Sequence, residues 1–514
     1  MITAEMSVAE AIRIAPHTRD VFDRHGLKGC GGEHGPLEAI SFFASVHQID
    51  LDQLLRELNG GIPIAGQPYI YKEGLADVIY RRFFKAAIVI VMSIGCMWGA
   101  INLLQIAMGR SFLQLKLLPA IHAHAQAMIS GWVGLFVMGF AYQSFPRFKN
   151  TTLWRPELAN LSFYFLIAGV LCRVVAELIA PAPASAFFGV TGFGLEMMAG
   201  AAFVTVLFRT ARKSIEPRAK YEKFIVGSLF WFLLQIPLSY VLFFAKLFAT
   251  NEQQLVMRIA LIDGPLREMQ LLGFAALIIA GVSQRFVPLV YGLEPPRRDR
   301  LNVIFWLING SLLLNMASYV LLLLTFNPLF GIPLEIAYLI MPVWAVLLAK
   351  QIGIFRRPQR RDRSFKFIRA AYCWLLAAAI MLPLFPAYSA LTRQLFAHSW
   401  MGSYRHAFTV GFISMMILGV SSRIVPILAG VDGASLTSLW GPFILLNAGN
   451  AGRVILQVLT DWVPKTAYPL AGFTGFIEVT ALVWWGIHLW RIMNLAKAHR
   501  PQALKINVPI GALQ

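Results

Sequence analysis

A glycine motif occurs three times along this chain of 514 residues, and it constrains the fold more than any other feature. Each copy has two glycines eight positions apart, then a glutamine or arginine four positions later and a proline three positions after that. The copies read Gly131, Gly139, Gln143 and Pro146; Gly273, Gly281, Arg285 and Pro288; Gly411, Gly419, Arg423 and Pro426. They begin 142 and 138 residues apart. The spacing predicts three tandem units of similar structure.

The apolar content predicts that these units lie in a membrane. Apolar residues make up 57% of the chain and charged residues only 14%, a balance that is unusual for a soluble protein. Twelve apolar runs are long enough to cross a bilayer as helices, four in each unit. They begin near Ala86, Ile121, Leu161, Ser185, Phe224, Ala260, Val303, Ile336, Phe367, Arg405, Leu439 and Tyr468. The sequence therefore predicts an all-α polytopic membrane protein with about twelve transmembrane helices and pseudo-repeats at about 85–208, 223–355 and 367–494.

The basic residues follow this topology rather than forming one binding face. The net charge is +19, yet the cations are concentrated in loops that follow even-numbered spans, which predicts that these loops and both termini are cytoplasmic. The pattern disfavours a nucleic-acid partner. The predicted divisions are a small soluble helical domain at 1–62, a linker at 63–84, the membrane domain at 85–495 and a cytoplasmic tail at 496–514.

One position differs in chemistry between the three units. It lies five residues before the first motif glycine, holds Gln126, Glu268 and His406, and is called the pre-motif position below. His122 precedes Gln126 by four residues, so the two share a helix face, whereas His124 is offset by two residues. The spacing favours His122 as the partner of His406, and the choice between His122 and His124 stays open.

Other ionisable residues recur at matching places. Arg173 and Arg453 each follow the first motif glycine of their unit by 42 residues, and Glu196 and Glu478 lie early in the fourth spans. Charges at bilayer depth cost about 2.5–3.5 kcal/mol each, so such groups tend to face a bundle interior. Two interpretations stay open: the arginines pair with these glutamates as structural braces, or they line a proton or anion path. The candidate path residues are Glu268, Arg285, Arg423, Arg173 and Arg453.

Histidine is scarce in the predicted spans, which makes its placement informative. A lone histidine within a membrane is often a hydrogen-bonded packing residue. Neutral imidazole is also a common axial ligand of haem iron, and two facing helices can hold a porphyrin between them. We therefore predict that His406, with His122 or His124, binds the iron of haem b. No CxxCH motif is present to attach haem covalently.

These segments resemble known membrane proteins. His122-Ala-His124, Gly131-Trp132 and Pro146-Arg147 resemble helix 2 of the haem-copper oxidase superfamily and of the related NnrS proteins, and the stretch from His406 to Gly411 is similar to a late NnrS helix. The resemblance covers residues 80–495. It implies a multi-pass protein of the bacterial inner membrane that binds haem and serves the response to nitric oxide, and NnrS proteins are described as binding copper as well.

The chain departs from the haem-copper oxidases at the copper site. It has no histidine between His124 and His398, Glu268 stands in the helix 6 position, and Tyr404 replaces a histidine expected on helix 10. Copper is therefore a cofactor that this ligand set does not support. A complete oxygen-reducing or nitric-oxide-reducing centre is disfavoured, unless Glu268 helps to bind a non-haem iron.

The N-terminal segment resembles the small domain of ScdA-type iron-centre repair proteins (DUF542) and the related DUF1858. The resemblance rests on Pro16, Phe22, His25-Gly26, Cys30-Gly31-Gly32 and Pro36-Leu37. Where the repair family has two adjacent cysteines, this chain has Gly29-Cys30, so a helical docking cap is the alternative. A repair-type domain agrees with a role in nitric oxide response, because nitric oxide attacks iron-sulfur clusters.

Three functions are compatible with the sequence. The first is a membrane haem-binding protein of the NnrS or haem-copper-like group, acting in nitric oxide (nitrosative stress) response or denitrification. The second is a quinol-linked haem oxidoreductase, similar to a nitric oxide or oxygen reductase, which needs a second metal. The third is a membrane channel or transporter, although tandem units of even helix number do not give the inverted repeats common in secondary carriers.

Overall fold

The computed structural model describes residues 1–27, 38–47, 49–61, 74–109, 117–214, 217–297, 299–359, 362–394, 397–429, 431 and 433–498. Helices make up 83% of the structure, and no strand occurs among these residues. The predicted all-α class is confirmed. The predictions for Cys30 and for the tail beyond residue 498 lie outside the described residues.

Four short helices form a core of their own before the first span. They are α1 Val8–Ile14, α2 Thr18–Arg24, α3 Ile40–Val46 and α4 Leu51–Leu58. Phe22 and Phe43 are fully buried in this core and meet edge to face with ring centroids 5.3 Å apart. Glu38 forms an ion pair with Arg147 at 3.8 Å. Because Arg147 lies near the end of the second span, the small core packs against the membrane part of the chain.

The described part of the chain has eleven helices long and apolar enough to cross a membrane, or twelve if one bent pair is counted as a span. In chain order they are α5 Leu75–Ala107, α6 Leu117–Phe148, α7 Pro156–Ile179, α8 Pro183–Lys213, α9 Glu222–Leu247, α10 Glu252–Tyr291, α11 Arg300–Thr325, α12 Pro328–Ile352, the bent pair α13 Phe365–Met381 and α14 Phe385–Thr392, α15 His398–Ala429, α16 Trp440–Leu459 and α17 Pro464–Leu495. The chain is a multi-pass membrane protein, and these apolar helices imply a surrounding lipid bilayer.

The first span begins ten residues earlier than its predicted start. Helix α5 starts at Leu75, inside the segment predicted as a linker. Its first turns contain basic residues that interrupt the apolar run, but Phe83 and Phe84 are fully buried. Phe84 stacks on Phe136 of α6 with ring centroids 3.9 Å apart. Packing against α6 therefore extends the helix beyond the apolar run.

The three helices that carry the motif are the innermost of the bundle. The most apolar windows of α6, α10 and α15 are 83%, 78% and 72% buried, against 28–56% for the other spans. A helix that is apolar all round and enclosed by other helices has no lipid-facing stripe. The polar pre-motif residues on these helices therefore face protein rather than lipid.

The motif glycines allow these central helices to approach the helix that precedes each of them. A Cβ atom at any of the six positions would lie 2.5–3.1 Å from a side chain of that preceding helix. The pairs are Gly131 with Ile90, Gly139 with Phe83, Gly273 with Trp231, Gly281 with Phe224, Gly411 with Trp374 and Gly419 with Phe367. These glycines therefore mark close packing between neighbouring helices.

Each motif helix changes from α-helical to π-helical geometry directly after the pre-motif position. The π-helical segments are Ala127–Gly134, Met269–Ala276 and Ala407–Ser414. In a π-helix each N–H bonds to the carbonyl five residues earlier, and such segments are frequent at functional sites. Gln126, Glu268 and His406 are thus each the last residue of an α-helical turn.

Candidate functional site

The pre-motif residue of the first unit belongs to a closed polar network. The Gln126 amide Nε2 donates to both carboxylate oxygens of Glu196 at 2.9 Å. Tyr240 Oη and Ser130 Oγ donate to the same carboxylate at 2.8 and 3.2 Å, and Ser239 Oγ donates to Gln126 Oε1 at 3.2 Å. Both oxygens of this buried carboxylate are therefore satisfied.

The third unit places a glutamate in the same packing but gives it fewer partners. A Cβ atom at Gly169 would lie 2.7 Å from Glu196 Cγ, and one at Gly449 would lie 2.8 Å from Glu478 Cγ. The Cys96 thiol approaches Glu478 Oε2 at 3.9 Å. Within the described residues Glu478 Oε1 has no hydrogen-bond partner. The third unit thus lacks the network that satisfies Glu196.

The two repeated arginines also differ in their contacts. Arg173, which is 2% exposed, forms an ion pair with Glu177 at 3.0 Å rather than with Glu196, and its guanidinium lies over the ring of Tyr240. Arg453, which is 6% exposed, lies within electrostatic range of Glu478. Arg453 Nε and Glu478 Oε1 both lack a hydrogen-bond partner among the described residues. The symmetric braces, one of the two interpretations that the sequence left open, are therefore not formed in the first unit and are incomplete in the third among the described residues.

His124 and His406 lie at the same height on neighbouring central helices. The indole of Trp132 on α6 donates to Ser414 Oγ on α15 at 3.1 Å. His124 precedes Trp132 by eight positions, and His406 precedes Ser414 by eight positions. Because α6 and α15 cross the bundle in the same direction, the two histidines lie at the same height. His124 and His406 are within electrostatic range of each other.

Hydrogen bonds fix the tautomer of both imidazoles. His124 Nδ1 bonds to the Gly95 carbonyl at 2.8 Å, and His406 Nδ1 bonds to the Gly402 carbonyl at 3.1 Å. Because a carbonyl oxygen only accepts, each Nδ1 carries the proton and each Nε2 keeps its lone pair. Metal-binding histidines commonly donate their other ring N–H to a carbonyl oxygen in this way. Both rings are half-buried.

Glycines and unpartnered polar atoms surround the histidine pair. A Cβ atom at Gly99 would lie 2.7 Å from His124 Cε1, so this glycine leaves room for the ring. Arg453, which lies within electrostatic range of both histidines, has an Nε without a partner among the described residues. Asn450, fully buried one turn earlier on α16, likewise has neither amide atom bonded. Unmet buried donors and acceptors of this kind fit a polar group such as the carboxylate of a bound haem.

His122 has different surroundings from His124. It is 7% exposed and lies within electrostatic range of Lys246, Glu177, Asp263 and Arg267. These charged neighbours belong to α7, α9 and α10, and of the two histidines it is His124 that lies within electrostatic range of His406. The six charged residues of this region, called the ionic cluster below, are Arg173, Glu177, Lys246, Asp263, Arg267 and Arg405.

Glu268 occupies the pre-motif position of the middle unit without the network seen around Glu196. It is 5% exposed, and the Tyr404 hydroxyl donates to its Oε2 at 3.5 Å. The same hydroxyl lies 3.9 Å from Met341 Sδ. Arg405 is within electrostatic range of the carboxylate. Among the described residues, Glu268 is therefore a buried acid with a single long hydrogen bond, next to the ionic cluster.

Arg285 and Arg423 lie at the other end of the bundle. Arg285 donates to Tyr221 Oη at 3.3 Å, and Arg423 forms an ion pair with Asp362 at 2.7 Å. Arg285 follows Glu268 by 17 residues on one continuous helix, which corresponds to about 25 Å. The structure therefore does not bring these arginines together with Glu268 into one site.

Most of the ionic cluster was not among the residues predicted from the sequence. The cluster residues that were not predicted as site residues are Glu177, Lys246, Asp263, Arg267 and Arg405. A usable signal was present, because Arg173 and Glu177, like Asp263 and Arg267, are four residues apart and form the ion pairs expected on one helix face. Charged pairs inside apolar runs are rare, and they mark functional or structural polar sites.

Comparison with known protein families gives one match. The family described as NnrS protein matches residues 75–496, a range that contains α5 to α17 and every candidate residue discussed above. No curated protein matches the chain significantly. Among the described residues there is no group of three or more histidine, cysteine, aspartate or glutamate side chains that could hold a metal ion.

Proposed function

Because the chain belongs to the NnrS family, we propose that it is an integral membrane haem protein in which His124 and His406 hold a b-type haem. The observation that carries the proposal is the shared state of the two imidazoles. Each donates Nδ1–H to a backbone carbonyl and keeps an Nε2 lone pair. An axial ligand of haem iron needs that lone pair.

The surroundings of the pair support a large ligand with carboxylate groups. Arg453 and Asn450 supply unpartnered donors on α16, and Gly99 leaves space against His124. His124 and His406 would bind the iron, and Arg453 would pair with a haem carboxylate. When bound, the haem supplies a site for electron transfer or for a diatomic gas.

The physiological part of the proposal is a role in the response to nitric oxide. It follows from the resemblance of the chain to NnrS proteins and of its N-terminal segment to iron-centre repair proteins. Deletion of the gene in its host is expected to increase growth inhibition by a nitric oxide donor. Complementation with the His406→Ala variant would then fail, while His488→Ala would restore growth.

An optical measurement on the purified full-length protein tests haem binding. The wild type is expected to show a Soret band, and His124→Ala and His406→Ala should each remove or shift it. His122→Ala and His488→Ala are matched controls that should keep it, since His488 Nε2 is bonded to Arg363 at 2.8 Å. Size-exclusion elution should be the same for all variants. A wild type without a Soret band, or a band unchanged in both test variants, would contradict the proposal.

Metal analysis of the same preparation distinguishes the alternatives. A quinol-linked oxidoreductase requires a second metal beside the haem, so one haem iron and no other iron or copper per chain would remove that function. A channel or transporter requires flux without haem. Solute uptake by proteoliposomes made from haem-free protein would support that third function.

A further inference from the structure

The ionic cluster lies at the end of the bundle opposite the arginine-rich loops. Arg173 and Glu177 belong to the last two turns of α7, and Lys246 is the penultimate residue of α9. The other ends of these two helices follow the basic loops at 147–155 and 209–220. His122, in the second turn of α6, lies within electrostatic range of both Lys246 and Arg267.

Each carboxylate of the cluster is shared by two cations. Glu177 contacts Lys246 at 2.8 Å and Arg173 at 3.0 Å. Asp263 contacts Arg267 at 3.0 Å and Arg405 at 3.4 Å. The two pairs are coupled, because Lys246 and Arg267 are within electrostatic range of each other and of Arg173. Four cations therefore converge on two carboxylates.

Several donors of these cations have no acceptor. Arg173 is 2% exposed, yet its Nε and Nη1 have no hydrogen-bond partner among the described residues, and the same holds for Arg405 Nε. Arginine cannot release its proton to relieve this situation. A buried guanidinium with unmet N–H groups calls for an acceptor that the side chains around it do not provide.

The nearest other carboxylates are already engaged elsewhere. Glu196 is within electrostatic range of Arg173, but it accepts from Gln126, Ser130 and Tyr240. Glu268 is within range of Arg405 and accepts from Tyr404. Within the described residues, neither carboxylate accepts a hydrogen bond from the unmet N–H groups of Arg173.

We propose that Arg173 and Lys246, with Arg267 and Arg405 of the same ionic cluster, form a binding site for a small planar oxyanion of the nitrite, nitrate or carboxylate class. The unmet Nε–H and Nη1–H groups of Arg173 each offer a charge-assisted hydrogen bond to an anionic oxygen atom, and Lys246 adds a compact charge. The site uses none of the side chains proposed to hold haem iron, although Arg267 lies within electrostatic range of His124.

The test uses the full-length protein in detergent, prepared free of haem and of added oxyanions. Calorimetric titration with sodium nitrite, and separately with sodium formate, is compared for the wild type, Arg173→Lys, Lys246→Gln and Arg285→Gln. Arg173→Lys keeps the positive charge and removes the Nε and Nη1 donors. Arg285→Gln is the matched control, because it removes a partly buried arginine at the opposite end of the bundle. Size-exclusion elution checks that each variant is folded.

Saturable binding to the wild type is expected, with affinity about tenfold lower in Lys246→Gln and in Arg173→Lys, and within about twofold of the wild type in Arg285→Gln. The proposal is overturned if the wild type shows no saturable binding, or if all three variants lose affinity equally. A repeat with haem-loaded protein separates two sources of the same chemistry. Loss of nitrite binding on haem loading would assign these donors to haem carboxylates and overturn a site for a free anion.

Discussion

The side-chain amide of Gln126 donates to both oxygens of the Glu196 carboxylate at 2.9 Å. This contact joins the central helix α6 to α8, and both residues are almost fully buried. Replacing a donor to a buried carboxylate leaves the acceptor with an unmet desolvation cost. The contact therefore stabilises the first unit as long as the amide is present.

Gln126→Leu is expected to lower the free energy of unfolding by about 2–3 kcal/mol, because Glu196 loses its amide donor. Gln284→Leu is the matched control: Gln284 is equally buried, but its amide bonds only to the Ala280 carbonyl of its own helix, at 3.0 Å. Thermal unfolding in detergent, followed by tryptophan fluorescence, measures both. Equal destabilisation by the two changes would show that burial rather than the Glu196 contact is responsible.

Gly411→Ala is expected to destabilise the protein by about 1–3 kcal/mol through overpacking. The added Cβ would lie 2.5 Å from Trp374 Cγ, and Trp374 is held in place by a bond from its Nε1 to Asn447 Oδ1 at 2.9 Å. Gly310→Ala, at a helical glycine with no heavy atom within 4 Å of the added Cβ, should leave stability unchanged or raise it. The same unfolding assay compares them, and a neutral Gly411→Ala would mean that Trp374 can move away.

The N-terminal core is expected to lose stability as the pH falls from about 6.5 toward 4. Burial lowers the pKa of His47 from 6.5 to about 4, so the unfolded segment takes up a proton in a range where the folded one does not. Stability is therefore complete above pH 6.5 and decreases below it, by on the order of 1–3 kcal/mol. Hydrogen exchange of residues 40–47 in the full chain, corrected for intrinsic rates, measures this.

His47→Phe is the matching variant, because it keeps an aromatic ring against Phe43, whose centroid lies 4.2 Å from that of His47. The difference between the two pH profiles isolates His47. Burial raises the pKa of Glu38. Burial also tends to raise the pKa of Glu57, but hydrogen bonds from His25 and Gln53 outweigh the effect of burial and lower that pKa. Both glutamates titrate in the wild type and in His47→Phe alike. Identical profiles would exclude His47 as the titrating group.

Arg423→Gln is expected to lower stability by about 1 kcal/mol and to leave the haem spectrum unchanged. Arg423 pairs with Asp362 at 2.7 Å, and Asp362 also accepts the Ser364 N–H at 2.8 Å, so the arginine fixes a loop rather than a cofactor. A partly exposed ion pair has only a modest effect. Absorption spectra and thermal unfolding are compared with those of Arg357→Gln, at an exposed arginine of the same loop. A spectral change specific to Arg423→Gln would place this residue on a path to the haem.

The fold followed from features that are local in the sequence. Apolar runs define spans wherever they occur, and the glycine spacing singled out the three helices that became α6, α10 and α15. The start of α5 at Leu75 did not follow, because burial of Phe83 and Phe84 depends on α6, which comes later in the chain. The sequence also could not show that α10 extends over 40 residues and carries Asp263 and Arg267 into the bundle.

The candidate site was predictable in composition but not in orientation. His406 and the pair His122 and His124 were identified because histidine is scarce. Which of the two faces α15 depends on the rotation of α6, and two residues on a helix differ by more than half a turn. The partner of Arg173 depends similarly on tertiary context, since Glu177 and Glu196 are both within reach of α7.

The π-helical segments separate two tasks within each central helix. Within these segments and downstream of them the motif glycines pack in the same way in all three units, while upstream the pre-motif residue is glutamine, glutamate or histidine. Deleting one residue from Ala407–Ser414 would rotate His406 by about 100° relative to Gly419, and its imidazole would leave the side of the helix that faces His124. The wide turn thus lets the direction of one side chain be set independently of the packing that holds the helix in place.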